Sequence, residues 1–384
     1  MNTPEWQNAA WYGANLPGDL LTPALAIYPE AIRQNVRATL KLVNGDAGRW
    51  RPHLKTVKAA FAVRIMVEEG VTQAKCATPL ELETACACGL RDVVVAMSLV
   101  GPAVQRVRQI AATYPTVTVS ALVESEEHIT QWAGSGSRLF IDVNPGMDRT
   151  GVDQDNASAV VKLARGIVNA GCTFAGLHYY DGHISEEDMD VRCTRAQEGY
   201  RRLMKLIVAL EADGIAVPEV ITSGTMTFPC ALAFTDFQGG SFRHTISPGT
   251  VVYSDLPTLL KLPEDYGYRP AAVVLSRVMS RPIPGVVTLD AGHKALSVDS
   301  GVPSGLILEL PEANPLKPSE EHLPVEMNGG ESIALGSLLH LVPKHVCTTV
   351  NNFTHTLVVE GGEVTGVESV TARGRHSPLE SASV

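Results

Sequence analysis

Leu139-Phe140-Ile141-Asp142-Val143-Asn144-Pro145-Gly146-Met147-Asp148-Arg149-Thr150-Gly151 is an apolar run that breaks into a loop rich in glycine and aspartate. The run reads as a buried strand and the loop as its C-terminal exit. Val160, Leu163 and Ile167 then recur at helical spacing, and a second apolar run follows at 174–180. Strand, helix, strand is the unit that builds parallel sheets, because parallel neighbours need a crossover.

The same alternation extends both ways. Further strand candidates lie at 50–55, 74–78, 93–97, 117–123, 217–223 and 242–247, and Val104, Val107 and Ile110 mark another helix. Eight such units point to a (β/α)8 TIM-type barrel, an α/β fold; a doubly wound open sheet has the same texture. After Pro248 the texture changes to short runs at 271–274, 285–289, 306–310 and 346–350, separated by Pro, Gly and Asn. This predicts an antiparallel β domain. The early run 22–28 lies outside the barrel count and is expected to join it. The domains read as a barrel over 29–248 and a β domain formed from both chain ends, 1–28 and 249–384.

The bulk numbers narrow the class. Hydrophobic residues make up 45% and charged residues 19%, and the net charge of -10 is spread along the chain. That argues against a nucleic-acid partner. No run is long enough for a membrane span, and the N-terminus shows no signal-peptide pattern. The seven cysteines include no Cys-x-x-Cys pair and read as reduced thiols of a cytoplasmic protein.

Arg51-Pro52-His53-Leu54-Lys55-Thr56 ends the first barrel strand. Barrel active sites sit at strand C-termini, so Lys55 points to the site. A lysine that attacks a carbonyl must be neutral, and desolvation at a barrel mouth favours that state. Other strand ends carry Gly and polar groups suited to a phosphate: the loop 144–151, Tyr180-Asp181-Gly182-His183, and Ser223-Gly224-Thr225-Met226-Thr227.

Together these pieces resemble the D-threonine aldolase and D-serine dehydratase family, which has an alanine-racemase-like N-terminal barrel. The resemblance also rests on Thr22-Pro23-Ala24-Leu25, Ser247-Pro248-Gly249-Thr250, Asp290-Ala291-Gly292-His293-Lys294-Ala295, Ser319-Glu320-Glu321-His322, His345-Val346-Cys347-Thr348-Thr349 and Ala372-Arg373-Gly374. It implies pyridoxal 5'-phosphate bound to Lys55, with Arg149 near its phenolic oxygen and Tyr180 near its ring. It further implies that Ser223, Gly224 and Thr225 hold the phosphate and that His183 serves the substrate side. The chain departs from the family pattern at Val57, where a histidine is usual, at Val251, at Phe353-Thr354, and in a phosphate loop one glycine shorter.

The segment 342–350 reads as a strand, on which residues two apart share a face. His345 and Cys347 can then ligate one divalent metal, and imidazole plus thiolate puts zinc ahead of manganese or magnesium. The family resemblance implies a divalent ion here, and a cysteine rather than a carboxylate at this place resembles its dehydratases. Asp290, His293, Glu320, Glu321 and His322 are further polar candidates.

The resulting expectation is a metal-assisted lyase on D-3-hydroxy amino acids, dehydratase type ahead of D-threonine or D-3-hydroxyaspartate aldolase type. An amino-acid racemase is the alternative, with Tyr253, Tyr266 and Tyr268 available as a second acid/base. A cofactor carrier without activity is a third. The resemblance also implies a homodimer.

Overall fold

The computed structural model describes residues 4–13, 15–327 and 333–379. The described residues divide into two compact units, one of residues 40–55, 70–249 and 375–379, the other of 4–13, 15–39, 56–69, 250–327 and 333–374.

Among the described residues the first unit carries a path of seven parallel strands in sequence order, Gln73–Cys76, Asp92–Ser98, Thr118–Val123, Arg138–Asn144, Thr173–Tyr179, Glu219–Thr222 and Arg243–Ile246, with the short strand Val152–Asp153 paired off the path to Arg138–Asn144. Residues 50–54 close the ring. Arg51 N donates to Ile246 O at 2.9 Å, Lys75 N to Pro52 O at 2.8 Å, and Leu54 N to Lys75 O at 2.8 Å. Parallel bridges Trp50↔Ile246 and His53↔Lys75 complete the eighth stave. It is a chain of bridges rather than a regular strand because Pro52 has no N–H to give to a ladder.

Val94, Leu122, Phe140, Ala175 and Ile221, one from each of five strands, form an apolar cluster. Such a layer makes a barrel interior a packed core rather than a pore. The two helices expected from spacing are Pro102–Thr113 and Ala157–Asn169, and each buries its marked residues. Asn156 caps the second through its side chain to Ala159 N.

The second unit holds a mainly antiparallel sheet. Its long strand Ala272–Ile283 pairs with Val286–Leu289, Leu338–Pro343 and the early strand Ala24–Ile27. The early strand also takes His355–Glu360 as a parallel neighbour, so the chain start is threaded into the sheet as expected. Val274, Leu289, Leu323, Val325 and Leu341 lie in its core.

Two expectations fail. Residues 346–350 are not a strand: the strand stops at Pro343 and Val346–Asn351 is a helix. The β-branched run suggested a strand, but Asp255 accepts from Val346 N at 3.3 Å and the Thr349 hydroxyl bonds His345 O at 2.9 Å. Tertiary capping by a residue distant in sequence overrides the propensity. Nor are all seven thiols reduced. Cys193 and Cys230 form a disulfide with a Cα–Cα distance of 4.8 Å, and the other five cysteines are buried and free.

Candidate active site

The lysine segment is held from below and from one side. Arg51 is fully buried and bonds both Asp92 oxygens at 2.9 and 3.1 Å and Glu219 at 3.1 Å. The Ser247 hydroxyl donates to Arg51 O at 2.8 Å, and the Trp50 indole to Pro248 O at 2.9 Å. A Cβ on Gly249 would stand 2.5 Å from His53 O, so only glycine lets the two chains meet here. Ser247-Pro248-Gly249 is thus a clamp on the strand that ends in Lys55.

Three cations surround one ring. Lys55 Nζ lies 5.6 Å from the Tyr180 centroid, Arg149 Cζ 5.1 Å and Lys75 Nζ 5.8 Å. Tyr180 itself lies against two glycines. A Cβ on Gly224 would come within 2.9 Å of Cε2, and one on Gly182 would collide with the ring and its hydroxyl. These glycines set a flat floor beside the ring. The structure brings the candidates Lys55, Arg149 and Gly224 together around Tyr180.

The 223–227 loop is organised by residues that reading passed over. Ser223 adopts a left-handed conformation and spends its hydroxyl on Thr222 O at 2.7 Å. Gly224 N donates to the Thr227 hydroxyl at 3.1 Å, and that hydroxyl donates to Asp181 at 2.5 Å. Tyr200 gives Asp181 a second hydrogen bond at 2.7 Å. Burial pushes the Asp181 carboxyl above its ordinary range, against the pull of both hydroxyls. His183, two residues on, is half-buried, and its Nδ1 is buried without a hydrogen-bond partner.

Behind Tyr180 runs a second polar chain that spacing did not reveal. Lys75 Nζ is 3.0 Å from His178 Nε2, His178 Nδ1 is 2.7 Å from Asp142 Oδ1, and the Thr150 hydroxyl donates to Asp142 Oδ2 at 2.8 Å. Asp142 and His178 are register partners on adjacent strands. Burial outweighs Asp142 and leaves His178 below its usual value, hence neutral with its proton on Nδ1. The visible signal was a polar residue between apolar ones on each buried strand: Ala74-Lys75-Cys76, Ile141-Asp142-Val143, Leu177-His178-Tyr179.

In the other unit, His345 and Cys347 do meet, although through a helix start rather than a strand. His345 Nδ1 is 2.6 Å from Asp299 Oδ2, and Asp299 also takes hydroxyls from Ser297 at 2.7 Å and Thr348 at 3.0 Å. With Nδ1 so engaged, Nε2 is left for the Cys347 sulfur. That contact raises His345 to about 9, burial opposing and Asp299 adding. The Thr56 hydroxyl lies 3.0 Å from Cys347 Sγ. Three of the other polar candidates have partners elsewhere in this unit. Asp290 takes hydroxyls from Ser276 at 2.6 Å and Thr22 at 2.5 Å, and Lys294 pairs with Glu320 and Glu321 at the surface.

The family model "Alanine racemase, N-terminal domain" matches residues 27–257, and "Putative serine dehydratase domain" matches 271–359. The chain belongs to the alanine-racemase-like family of D-threonine aldolases and D-serine dehydratases. It is 26% identical over 390 residues to 3-hydroxy-D-aspartate aldolase of Paracoccus denitrificans (strain Pd 1222), covering 94% of this chain and 95% of that one. It is 23% identical over 359 residues to D-threo-3-hydroxyaspartate dehydratase of Delftia sp. (strain HT23), covering 86% and 92%. The solved D-threonine aldolase from Filomicrobium marinum superposes with a TM-score of 0.84 at 26% identity, over 94% of this chain and 98% of that one. A pyridoxal-phosphate-dependent lyase is therefore the class of this enzyme.

The residues fit the cofactor of that family. An amine, a guanidinium and an aromatic ring converge beside a glycine loop, and the buried Nδ1 of His183 waits for a partner. The metal case is narrower. Among the described residues no three His, Cys, Asp or Glu side chains converge on a cation position. His345 and Cys347 offer two donors, with Asp299 orienting the imidazole as a carboxylate orients a liganding histidine. Two donors suit an open catalytic site and not a closed structural one. No helix among the described residues is long and apolar enough to cross a membrane.

Proposed function

We propose that the enzyme eliminates water from a D-3-hydroxy amino acid with the aid of a divalent cation, and that hydrolysis of the resulting enamine by water gives a 2-oxo acid and ammonia, as in a D-serine dehydratase. The observation that carries this branch is the Cys347 sulfur against the His345 ring, a soft donor pair that selects zinc. Solved structures of D-threo-3-hydroxyaspartate dehydratase include a histidine-to-alanine mutant and a cysteine-to-alanine mutant in a metal-free form.

When bound, the cofactor supplies an electron sink for negative charge at Cα, and the cation makes hydroxide a tolerable leaving group. The chain's own work is positioning and proton transfer. Lys55 holds the cofactor aldehyde and then moves the Cα proton. Arg149 and Tyr180 would orient the ring, and Ser223, Gly224 and Thr225 would hold the phosphate, the Ser223 hydroxyl and Gly224 N leaving their present partners Thr222 O and the Thr227 hydroxyl to do so. His345 and Cys347 hold the cation, with Asp299 fixing the imidazole. In dehydration His183 is needed only to bind.

The second reading is aldol cleavage to glycine and an aldehyde, favoured by the aldolases among the relatives. It requires a base for the hydroxyl proton, and His183 is the candidate. A racemase reading loses support because the Tyr253 hydroxyl is buried and spent on Val57 O at 3.0 Å, and that of Tyr268 lies 3.0 Å from the Thr39 hydroxyl. The reading includes a homodimer, which light scattering tests.

The deciding experiment screens D- and L-3-hydroxy amino acids with and without chelator and detects both product types. A 2-oxo acid and ammonia from D-isomers, lost on chelation, is expected. Glycine and aldehyde as sole products would move the enzyme to the aldolase branch, and full activity after exhaustive chelation would remove the metal from the account.

A further inference from the structure

Lys75 stands where a barrel core should be apolar. The neighbouring strands fill the interior with Val94, Leu122, Phe140, Ala175 and Ile221. Lys75 is nonetheless only 2% exposed, and the partner at its amine is an imidazole rather than a carboxylate. A buried ammonium without a carboxylate is costly, so a lysine kept for packing alone would be better replaced by methionine.

The imidazole is built to receive it. His178 keeps its proton on Nδ1 because Asp142 accepts there, and Asp142 is fixed by Thr150. Nε2 therefore presents a lone pair to Lys75. In either protonation state Lys75 can give one hydrogen to His178, so gain or loss of a proton leaves the contact intact.

We infer that Lys75 is a second functional amine of the pocket: a positioning residue that holds or releases one proton beside Lys55 and so sets the charge against which the bound cofactor works. This rests on the cofactor reading above. The only change is one proton passed between Lys75 Nζ and solvent; no bond to carbon is made or broken.

The groups that face Lys75 oppose one another. From the closing segment come Arg51 and Lys55; from the adjoining strands and loops come Asp142, His178, Tyr180 and Asp181. Burial first, then the charge of Lys55, lowers the amine to about 7, while Asp142 and Asp181 pull the other way. The amine is thus poised to change state near neutral pH.

The test uses holoenzyme of the wild type, Lys75→Met and Lys75→Arg. The visible cofactor band, kcat and KM are read across roughly pH 6 to 8, around the Lys75 midpoint. In the wild type the band is expected to show a transition within this range. Lys75→Arg keeps a cation that cannot lose its proton, so its band should be flat over this range. In Lys75→Met the transition should vanish or move by about one unit or more, and kcat should fall about tenfold with KM nearly unchanged. If Lys75→Met fails to fold, Lys75→Arg carries the test. An unmoved transition in a variant that binds cofactor at Lys55 would overturn this inference alone. A wild-type band without a transition would also overturn it. A wild type that binds no cofactor, or binds it elsewhere than Lys55, would overturn the cofactor reading and this inference with it.

Discussion

Replacing Arg51 with methionine should cut the barrel's stability and loosen the lysine four residues on. Arg51 is completely buried, and its fork satisfies both oxygens of Asp92 and reaches Glu219, whose side chain is 2% exposed. Removing one partner of a buried ion pair costs about 3 to 5 kcal/mol, because the remaining charge keeps its desolvation penalty. The low end applies here. Asp92 is 21% exposed and can be rehydrated, while Arg243 and the Thr245 hydroxyl stay on Glu219. With a urea slope of roughly 2 to 3 kcal/mol/M, a loss of about 3 kcal/mol moves the barrel midpoint down by about 1 to 1.5 M. The assay is urea unfolding of holoenzyme, followed by tryptophan fluorescence and by the cofactor band. Trp50, adjacent to Arg51 and fully buried, reports on the same segment. Arg51→Lys keeps the charge without the fork and should fall between. A midpoint shift of less than about 0.3 M for Arg51→Met would refute the idea that this cluster secures the lysine strand.

Cys347→Ala should lose bound metal by elemental analysis and lose turnover, yet keep cofactor absorbance, because the two sets of residues lie in different compact units. His345 makes metal uptake pH-dependent: its folded value of about 9 lies above the ordinary 6.5, so its stabilisation of the metal-free protein is complete below about 6.5 and lost as pH rises through 9. A cation must displace that proton, so affinity measured by competition with a chelating dye should rise about tenfold per pH unit below 9 and then level off. Gly182→Ala drives a methyl into the Tyr180 ring and should abolish cofactor retention while circular dichroism shows a folded chain; undiminished retention counts against Tyr180 as a cofactor contact. His183→Gln should dent dehydration several-fold and nearly stop any aldol cleavage, read as separate product yields.

The barrel was legible because short runs rich in β-branched and apolar residues alternate with stretches that carry a helical period. Val160, Leu163 and Ile167 are all buried on the helix their spacing foretold. The 346–350 segment misled because its β-branched residues favour a strand, while the cap that makes it helical comes from Asp255. Lys55, Arg149 and Tyr180 were singled out as candidates because strand ends and a family pattern mark them. Lys75, Asp142, Asp181 and Thr227 were not, because their meaning lies in partners on other strands. Arg51 stood inside the quoted lysine segment, but Asp92 and Glu219 reach it only once the ring closes. His345 and Cys347 come into contact at a helix start rather than on the expected strand; Asp299, which bonds the histidine, lies 46 positions away.

The account stands on Lys55 as the amine that binds pyridoxal phosphate. Two other lysines near it in sequence or motif have visible structural duties. The amine of Lys58 lies 3.3 Å from Ala372 O, and Lys294 is exposed and paired with Glu320. Borohydride reduction of the yellow holoenzyme, followed by peptide mapping, tests the claim directly. The account predicts one label per chain, on the peptide containing Lys55, and none in Lys55→Ala. A label on Lys58, Lys75 or Lys294 in the wild-type enzyme would contradict it.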